Sequence, residues 1–294
     1  MSTSKKHPQG ASARAAAQQR LAAQRAMAAA SGASAARRKR LLSVLLPVVA
    51  VVVVIAVLVV VKISTNSTKP ANGATTAAQP VVAAVTSVPA GVLAEVGAGS
   101  ASGPTALSGS ALTADGKPRV LYVGAEWCPY CAAERWPLAV ALSRFGTLSG
   151  LSQTASTPND VYPNTPTLSF HGATYSSTAI SFTGAEIEDG ARKPLDTLDA
   201  ADEALFTNVG QGGFPFVDIG GKYLISNAQY LPSLLAGKSH AQVAAALSDP
   251  SSTIGKAIDG AANILTAAIC KTSNDQPAAV CSSAGVTAAA TKLG

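Results

Sequence analysis

The hydrophobic pattern divides the chain into one long apolar run, a polar stretch and a region of alternating short elements. The apolar run covers residues 41–61, which are 21 residues without a charge and would span about 31 Å as a helix. This length matches a bilayer core and predicts a transmembrane helix over residues 41–63. Residues 64–80 show no apolar period and predict a flexible linker.

The third region, residues 81–294, is long enough to bury a substantial core. Its apolar runs change repeatedly between the periods of strands and of helices, which predicts an α/β fold with helices covering a mixed sheet. The expected elements are, in order, a helix over 81–96 broken at Pro89, a strand over 119–123, a helix over 128–145, a pair of strands over 167–170 and 178–182, a helix over 195–209, a hairpin over 214–225 turning at Gly220 and Gly221, a helix over 241–247 opened by a capping box at Ser239, and a helix over 253–269.

Charge orients the apolar run. Residues 1–40 contain nine bases and no acid, whereas residues 41–294 contain 13 bases and 16 acids. Because basic segments beside a membrane helix stay in the cytoplasm, the pattern predicts a basic cytoplasmic tail and an extracytoplasmic domain at the cell membrane. A cleaved signal peptide is the alternative, but its apolar region is usually only about 7–15 residues long. The slightly acidic remainder does not indicate a nucleic-acid surface, and we expect no nucleic-acid partner.

The four cysteines form two pairs beyond the predicted membrane helix, in a compartment where disulfides persist. Cys128 and Cys131 stand at the start of a predicted helix, directly after a strand. The free N–H groups and the dipole of a helix start stabilise a thiolate, so Cys128 is expected to be the more acidic and more exposed thiol. Cys131 lies one turn later, which suits thiol–disulfide exchange with Cys128 as nucleophile and Cys131 as resolving thiol. Half of a zinc site and an inert structural disulfide are the alternatives.

The second pair, Cys270 and Cys281, follows the last predicted helix and encloses ten residues. A structural disulfide at this position would stabilise the fold by about 3 kcal/mol in the chain-entropy picture. The alternative is a second redox pair that relays electrons to Cys128, although no helix start lowers the pKa of either thiol.

Residues 120–131, with the sequence VLYVGAEWCPYC, place a tryptophan directly before the dithiol. This segment resembles the strand-to-helix segment of the thioredoxin superfamily. The resemblance implies a thioredoxin-like fold and a cis-proline facing the dithiol, a role that we assign to Pro215, with a trans-proline in an edge strand as the alternative. It also implies that Trp127 and Phe214 flank Cys128 and bind extended substrates together with Pro215, with core packing as the alternative for Phe214.

Residues 81–281 also resemble a membrane-anchored thioredoxin-like bacterial family of unknown function, which implies a fold but no substrate. Three features depart from thioredoxins. Tyr122 occupies the place of a buried acid, no histidine lies between the cysteines, and 83 residues separate Cys131 from Pro215. The excess, residues 151–193, predicts an insertion built around a strand pair.

The remaining polar residues indicate no further chemistry. The three histidines have no metal-ligand spacing, and the acidic residues 186–189 are expected to form a solvated loop, so we expect no metal and no cofactor. The sequence thus predicts a membrane-anchored extracytoplasmic thiol–disulfide oxidoreductase with protein thiols and disulfides as substrates and an unidentified redox partner. The competing hypothesis is a non-enzymatic, thioredoxin-like binding module of the cell envelope in which Cys128 and Cys131 form a permanent bridge.

Overall fold

The computed structural model describes residues 74–294, so the predicted tail, the predicted membrane helix and most of the predicted linker lie outside the described residues. The strands are β1 (Thr75–Thr76), β2 (Thr105–Ala106), β3 (Thr113–Ala114), β4 (Lys117–Gly124), β5 (Thr147–Ser149), β6 (Ser152–Ala155), β7 (Pro166–Ser169), β8 (Thr174–Ser176), β9 (Ser181–Glu186), β10 (Phe216–Ile219) and β11 (Tyr223–Ile225). The α-helices are α1 (Gln79–Thr86), α2 (Ala90–Val96), α3 (Pro129–Ser143), α4 (Ala200–Asn208), α5 (His240–Ala246), α6 (Thr253–Thr272), α7 (Ala278–Cys281) and α8 (Ala284–Ala289).

Within residues 74–294, no single helix is both long enough and apolar enough to cross a membrane. Helices α1 and α2 reach that length and composition only together, as a pair bent by 61°. β1 and the first two residues of α1 lie within the predicted linker over residues 64–80. β1 is ordered by pairing with β6.

The main sheet is built around β4, a strand whose last five residues are all buried. β10 pairs with one edge of β4 in antiparallel orientation, with Phe216 opposite Val123. β9 pairs with the other edge in parallel orientation, with Glu186 opposite Gly124. β11 and then β2 extend the sheet beyond β10, so the order is β2–β11–β10–β4–β9, and β3 folds back on the start of β4. A strand covered on both faces reads as a continuous apolar run, which is the pattern that the sequence showed here.

Alternate residues of β4 enter two different apolar clusters. Val120 and Tyr122 belong to the larger cluster, which α3 and α6 complete. Leu121 and Val123 belong to a smaller cluster with Phe206 of α4. Helices therefore cover both faces of the mixed sheet, and the predicted α/β class is confirmed.

Several local predictions are confirmed because short-range chemistry sets them. Ser239 and Gln242 form the expected capping box at the start of α5. Gly220 and Gly221 turn the β10–β11 hairpin with φ values of 63° and 69°, a region that favours glycine. The last long helix, α6, begins where the Ser252 side chain accepts a hydrogen bond from Gly255 N–H.

The strands predicted over 167–170 and 178–182 do not form a pair with each other. β7 pairs with β6, and β9 begins at Ser181 and joins the main sheet beside β4. The segment 151–193 is therefore more than a peripheral insertion, since it supplies an edge strand of the central sheet.

The helix predicted over 195–209 begins later, at Ala200, and becomes α4. Asp199 ends the preceding extended segment because its carboxylate accepts hydrogen bonds from two N–H groups of the first turn. The backbone N–H groups of Leu195 and Asp196 instead donate to the carbonyl oxygens of Ile187 and Glu186.

The disulfide predicted between Cys270 and Cys281 is present, with the two Cα atoms 5.6 Å apart. It joins the last turn of α6 to the end of α7. Cys270 is buried, and the bond ties the C-terminal helices to the helix that fills the core.

Candidate functional site

The dithiol lies where β4 ends and α3 begins. Cys128 is the N-cap residue of α3, with extended backbone angles, and Pro129 occupies the first helical position. The backbone N–H of Cys131 donates a hydrogen bond to Cys128 Sγ over 3.3 Å. The Cys128 N–H donates in turn to the carbonyl oxygen of Ala125. The sulfur therefore takes the place that an oxygen of serine or aspartate occupies at other helix starts.

Both thiols are free, and both are largely shielded from solvent. Cys128 retains 5% exposure and Cys131 has 0%, so the expected order of exposure is found, but Cys128 is far less open than the sequence suggested. Trp127, Tyr130 and Phe214 pack against the two sulfurs. These three side chains form an apolar rim around the small exposed part of Cys128.

The two thiols have opposite acidity. The hydrogen bond with the Cys131 side chain is the largest cause that lowers the pKa of Cys128 to about 7 from about 9, while burial opposes the shift. The Cys131 N–H and the positive charge of Arg135 lower it further. Burial raises the pKa of Cys131 well above its usual value. The arrangement thus favours one thiolate, on Cys128, beside one protonated thiol.

Two of the three predicted substrate-binding residues, Trp127 and Phe214, pack against the dithiol, and Pro215 directly follows Phe214. The Phe214–Pro215 peptide bond is cis, the geometry that the sequence predicted. The rings of Trp127 and Phe214 contact edge to face, with centroids 6.0 Å apart. Phe214 also stacks on Phe206, so it is both a rim residue and part of the packing beneath.

Arg135 and Glu186 form a buried ion pair that the sequence prediction missed. Both side chains have 0% exposure, and Arg135 Nε and Nη2 donate to the two carboxylate oxygens of Glu186 over 2.7 and 2.6 Å. The prediction of a solvated acidic loop over residues 186–189 is wrong for Glu186, because this residue ends β9 inside the sheet. The available signal was an arginine one and two helical turns after the cysteines, in a helix with few other charged residues.

Residues 187–194 form a loop that covers Trp127. The Trp127 N–H donates to Glu188 over 2.5 Å, and Arg192 stacks on the indole ring. A cleft of about 300 Å³ lies beside it, lined by residues 157–159 and residues 190–192. The backbone N–H of Thr157 donates to the Trp127 carbonyl oxygen, so the cleft borders the residue that precedes Cys128.

Two polar residues near the dithiol have distinct surroundings. Tyr122 is fully buried, and its hydroxyl has no hydrogen-bond partner in the described part of the chain. Burial raises its pKa well above the usual value, so it stays protonated and does not replace the buried acid of thioredoxins. Glu126 is buried as well and accepts a hydrogen bond from the Ser169 hydroxyl.

One comparison with known families found a match. Residues 104–212 match the model of a domain of unknown function (DUF929). The matched region includes the dithiol, Arg135 and Glu186 and stops before Phe214. No curated protein and no solved structure matches the chain. Among residues 74–294, no group of three or more histidine, cysteine or acidic side chains has the geometry to hold a metal ion.

Proposed function

We propose that this protein is a thiol–disulfide oxidoreductase that uses Cys128 as nucleophile and Cys131 as resolving thiol. One observation carries the proposal. Cys128 Sγ lies at the N-cap of α3 and accepts the Cys131 N–H, in a site that lowers the pKa of Cys128 to about 7. A thiol with this pKa is about half ionised near neutral pH and is therefore a competent nucleophile.

The topology supports a thioredoxin-like domain. The central strands follow the order β11–β10–β4–β9, with β9 parallel to β4, and α3 connects onward from β4. The hairpin β10–β11 follows the cis bond before Pro215. The same elements carry the sequence resemblance, which is why we extend it to the substrate-binding roles of Trp127, Phe214 and Pro215.

The exchange follows from the two acidities. The Cys128 thiolate attacks a substrate disulfide R–S–S–R′, forms the mixed disulfide Cys128–S–S–R and releases R′–S⁻. Cys131 gives its proton to R′–S⁻, and its thiolate attacks Cys128 Sγ. This second step forms the Cys128–Cys131 disulfide and releases R–S⁻, so the substrate gains the two electrons that the dithiol loses. The reverse sequence oxidises a substrate dithiol.

We place this activity outside the cytoplasm, in a domain anchored by the membrane helix that the sequence predicts over residues 41–63. The basic residues before that helix support the orientation. The Cys270–Cys281 disulfide supports an oxidising compartment, because such bonds rarely persist in the cytosol.

Two measurements on the full-length protein test the proposal. The Cys128–Cys131 pair should equilibrate with glutathione, and Cys131→Ala should accumulate mixed disulfides through Cys128 that disappear in the Cys128→Ala/Cys131→Ala control. A potential below about −300 mV without exchange, together with no trapped partner, would overturn the proposal and favour the binding module with a structural bridge.

A further inference from the structure

Arg135 lies on the same helical stripe as the two thiols. It follows Cys131 by four residues and Cys128 by seven, which places the three side chains one above another on α3. The arginine side chain has 0% exposure and is sealed beneath the dithiol by the sheet. A buried positive charge, paired with Glu186, thus lies on the same helix face as the dithiol.

The hydrogen bonds of Arg135 connect it to the dithiol loop. Its Nη2 donates to the Ala125 carbonyl oxygen over 2.7 Å, and the same oxygen accepts the N–H of Cys128. Nη1 has no hydrogen-bond partner within residues 74–294. An unpaired buried donor is unfavourable, and it remains available to a negative charge that forms nearby.

We propose that Arg135 is a positioning residue of the dithiol, which stabilises negative charge on both sulfurs and holds the loop before Cys128. During exchange, negative charge passes from the Cys128 sulfur to the leaving thiolate and then resides on Cys131 before that sulfur attacks Cys128. Because Cys131 is fully buried, water cannot stabilise its thiolate. The Arg135 guanidinium, one helical turn away, stabilises it instead. The kinetic consequence rests on the proposed function, whereas the effect on thiol acidity does not.

Variants of Arg135 and Glu186 test the inference through their effect on the pKa of Cys128. The rate at which iodoacetamide alkylates Cys128 in the reduced full-length protein is followed against pH by mass spectrometry. Arg135→Gln/Glu186→Gln removes the pair and should raise the midpoint by about 1 pH unit. Glu186→Gln alone leaves the arginine charge unopposed and should lower the midpoint. Arg135→Lys keeps the charge and should leave the midpoint near that of the unmodified protein.

A second ion pair on the same strand system provides a matched control. Arg119 makes a bidentate contact with the buried Asp202, and it lies five residues before Gly124 on β4, about 16 Å along the strand from the dithiol end. Arg119→Gln/Asp202→Asn removes an equivalent interaction, so it should lower stability without moving the alkylation midpoint.

The outcomes separate this inference from the proposed function. The inference is supported if the alkylation midpoint of Cys128 rises in Arg135→Gln/Glu186→Gln, falls in Glu186→Gln and does not move in the Arg119 control. A several-fold longer lifetime of the mixed disulfide in Arg135→Gln/Glu186→Gln would support it as well. Equal midpoints in all variants, or equal shifts in the control, would overturn it even if the protein exchanges disulfides normally. Where a double variant does not fold, Glu186→Gln and Arg135→Lys still decide, because the inference predicts different midpoints for them. An inactive protein with the predicted shifts would overturn only the proposed function.

Discussion

The guanidinium carbon of Arg192 lies 3.5 Å from the centre of the Trp127 ring, while the indole N–H donates to Glu188 at the edge of the same ring. One loop thus holds this side chain by a cation–π contact and by a hydrogen bond. The residue before Cys128 is fixed in orientation, and so is the apolar rim that it forms with Phe214.

Removing the guanidinium should expose this rim. Arg192→Ala is expected to lower the free energy of unfolding by about 0.5–1 kcal/mol, the usual contribution of an exposed cation–π contact. It should also increase acrylamide quenching of tryptophan fluorescence, and the change reports on Trp127 because the second tryptophan, Trp136, is fully buried. Lys193→Ala, which removes the adjacent cation of the loop, is the control. Equal quenching in the two variants would contradict the contact.

The reactivity of Cys128 should titrate near neutral pH. Because only the thiolate reacts, the alkylation rate should rise about tenfold per pH unit below the midpoint near 7 and level off above it. Cys131→Ala removes the largest stabilising contribution and should move the midpoint upward. Quantifying the modified peptide by mass spectrometry gives both curves. A midpoint near 9 in the unmodified protein would show that the site does not lower the pKa of Cys128.

Two buried carboxyl groups should make stability fall as pH rises. Burial raises the pKa of both Asp259 and Glu134 to about 8. Neither oxygen of Asp259 has a hydrogen-bond partner within the described residues, and Glu134 accepts only the N–H of Gln229. Between their ordinary pKa values and about 8, the folded state holds protons that the unfolded state has released. The free energy of unfolding therefore decreases by about 1.4 kcal/mol per pH unit for each group.

Asp259→Asn should remove one of these two contributions. Urea unfolding between about pH 5 and pH 8 should show that the variant gains stability over the unmodified protein as the pH rises. Asp249→Asn is the control, because a hydrogen bond from the Ser251 side chain lowers the pKa of Asp249 and this exposed group stays ionised throughout that range. Parallel curves for Asp259→Asn and the unmodified protein would show that Asp259 is not a destabilising carboxyl.

The second cysteine pair should contribute to stability and not to exchange. Cys270→Ala/Cys281→Ala opens a loop of ten residues and should lower the free energy of unfolding by about 2–4 kcal/mol. The alkylation midpoint of Cys128 should be unchanged. A slower recovery of the oxidised dithiol in this variant would instead indicate the relay function that the sequence left open.

The predictable parts of the fold are those set by local chemistry. A proline after Cys128, a capping box at Ser239 and a glycine pair after Ile219 each determine a backbone feature within a few residues. The pairing of β9 with β4 has no such local signal, because the two strands are separated by more than fifty residues. Their partnership is decided by packing on both faces of the sheet, and hydrophobic periodicity does not report which strands become neighbours.

The same limit explains the missed ion pair. Arg135 and Glu186 are 51 residues apart in the sequence. Glu186 stands in a run of acidic residues that resembles a solvated loop, and only the end point of β9 places its side chain inside the protein. The dithiol and its rim residues could be predicted from a sequence motif. The Arg135–Glu186 ion pair could not, because its formation depends on the register of β9.

The parallel register of β9 on β4 determines where the chain can accept inserted residues. Glu186 lies opposite Gly124, so a one-residue slip of this pairing would turn its carboxylate toward the α4 side of the sheet. Arg135 would then be buried among apolar side chains without its counter-ion. The chain that leads to β9 also contains a turn between β6 and β7, where Val161 is 70% exposed. Extra residues at this exposed position, for example a grafted epitope, should therefore be tolerated better than extra residues within β4 or β9.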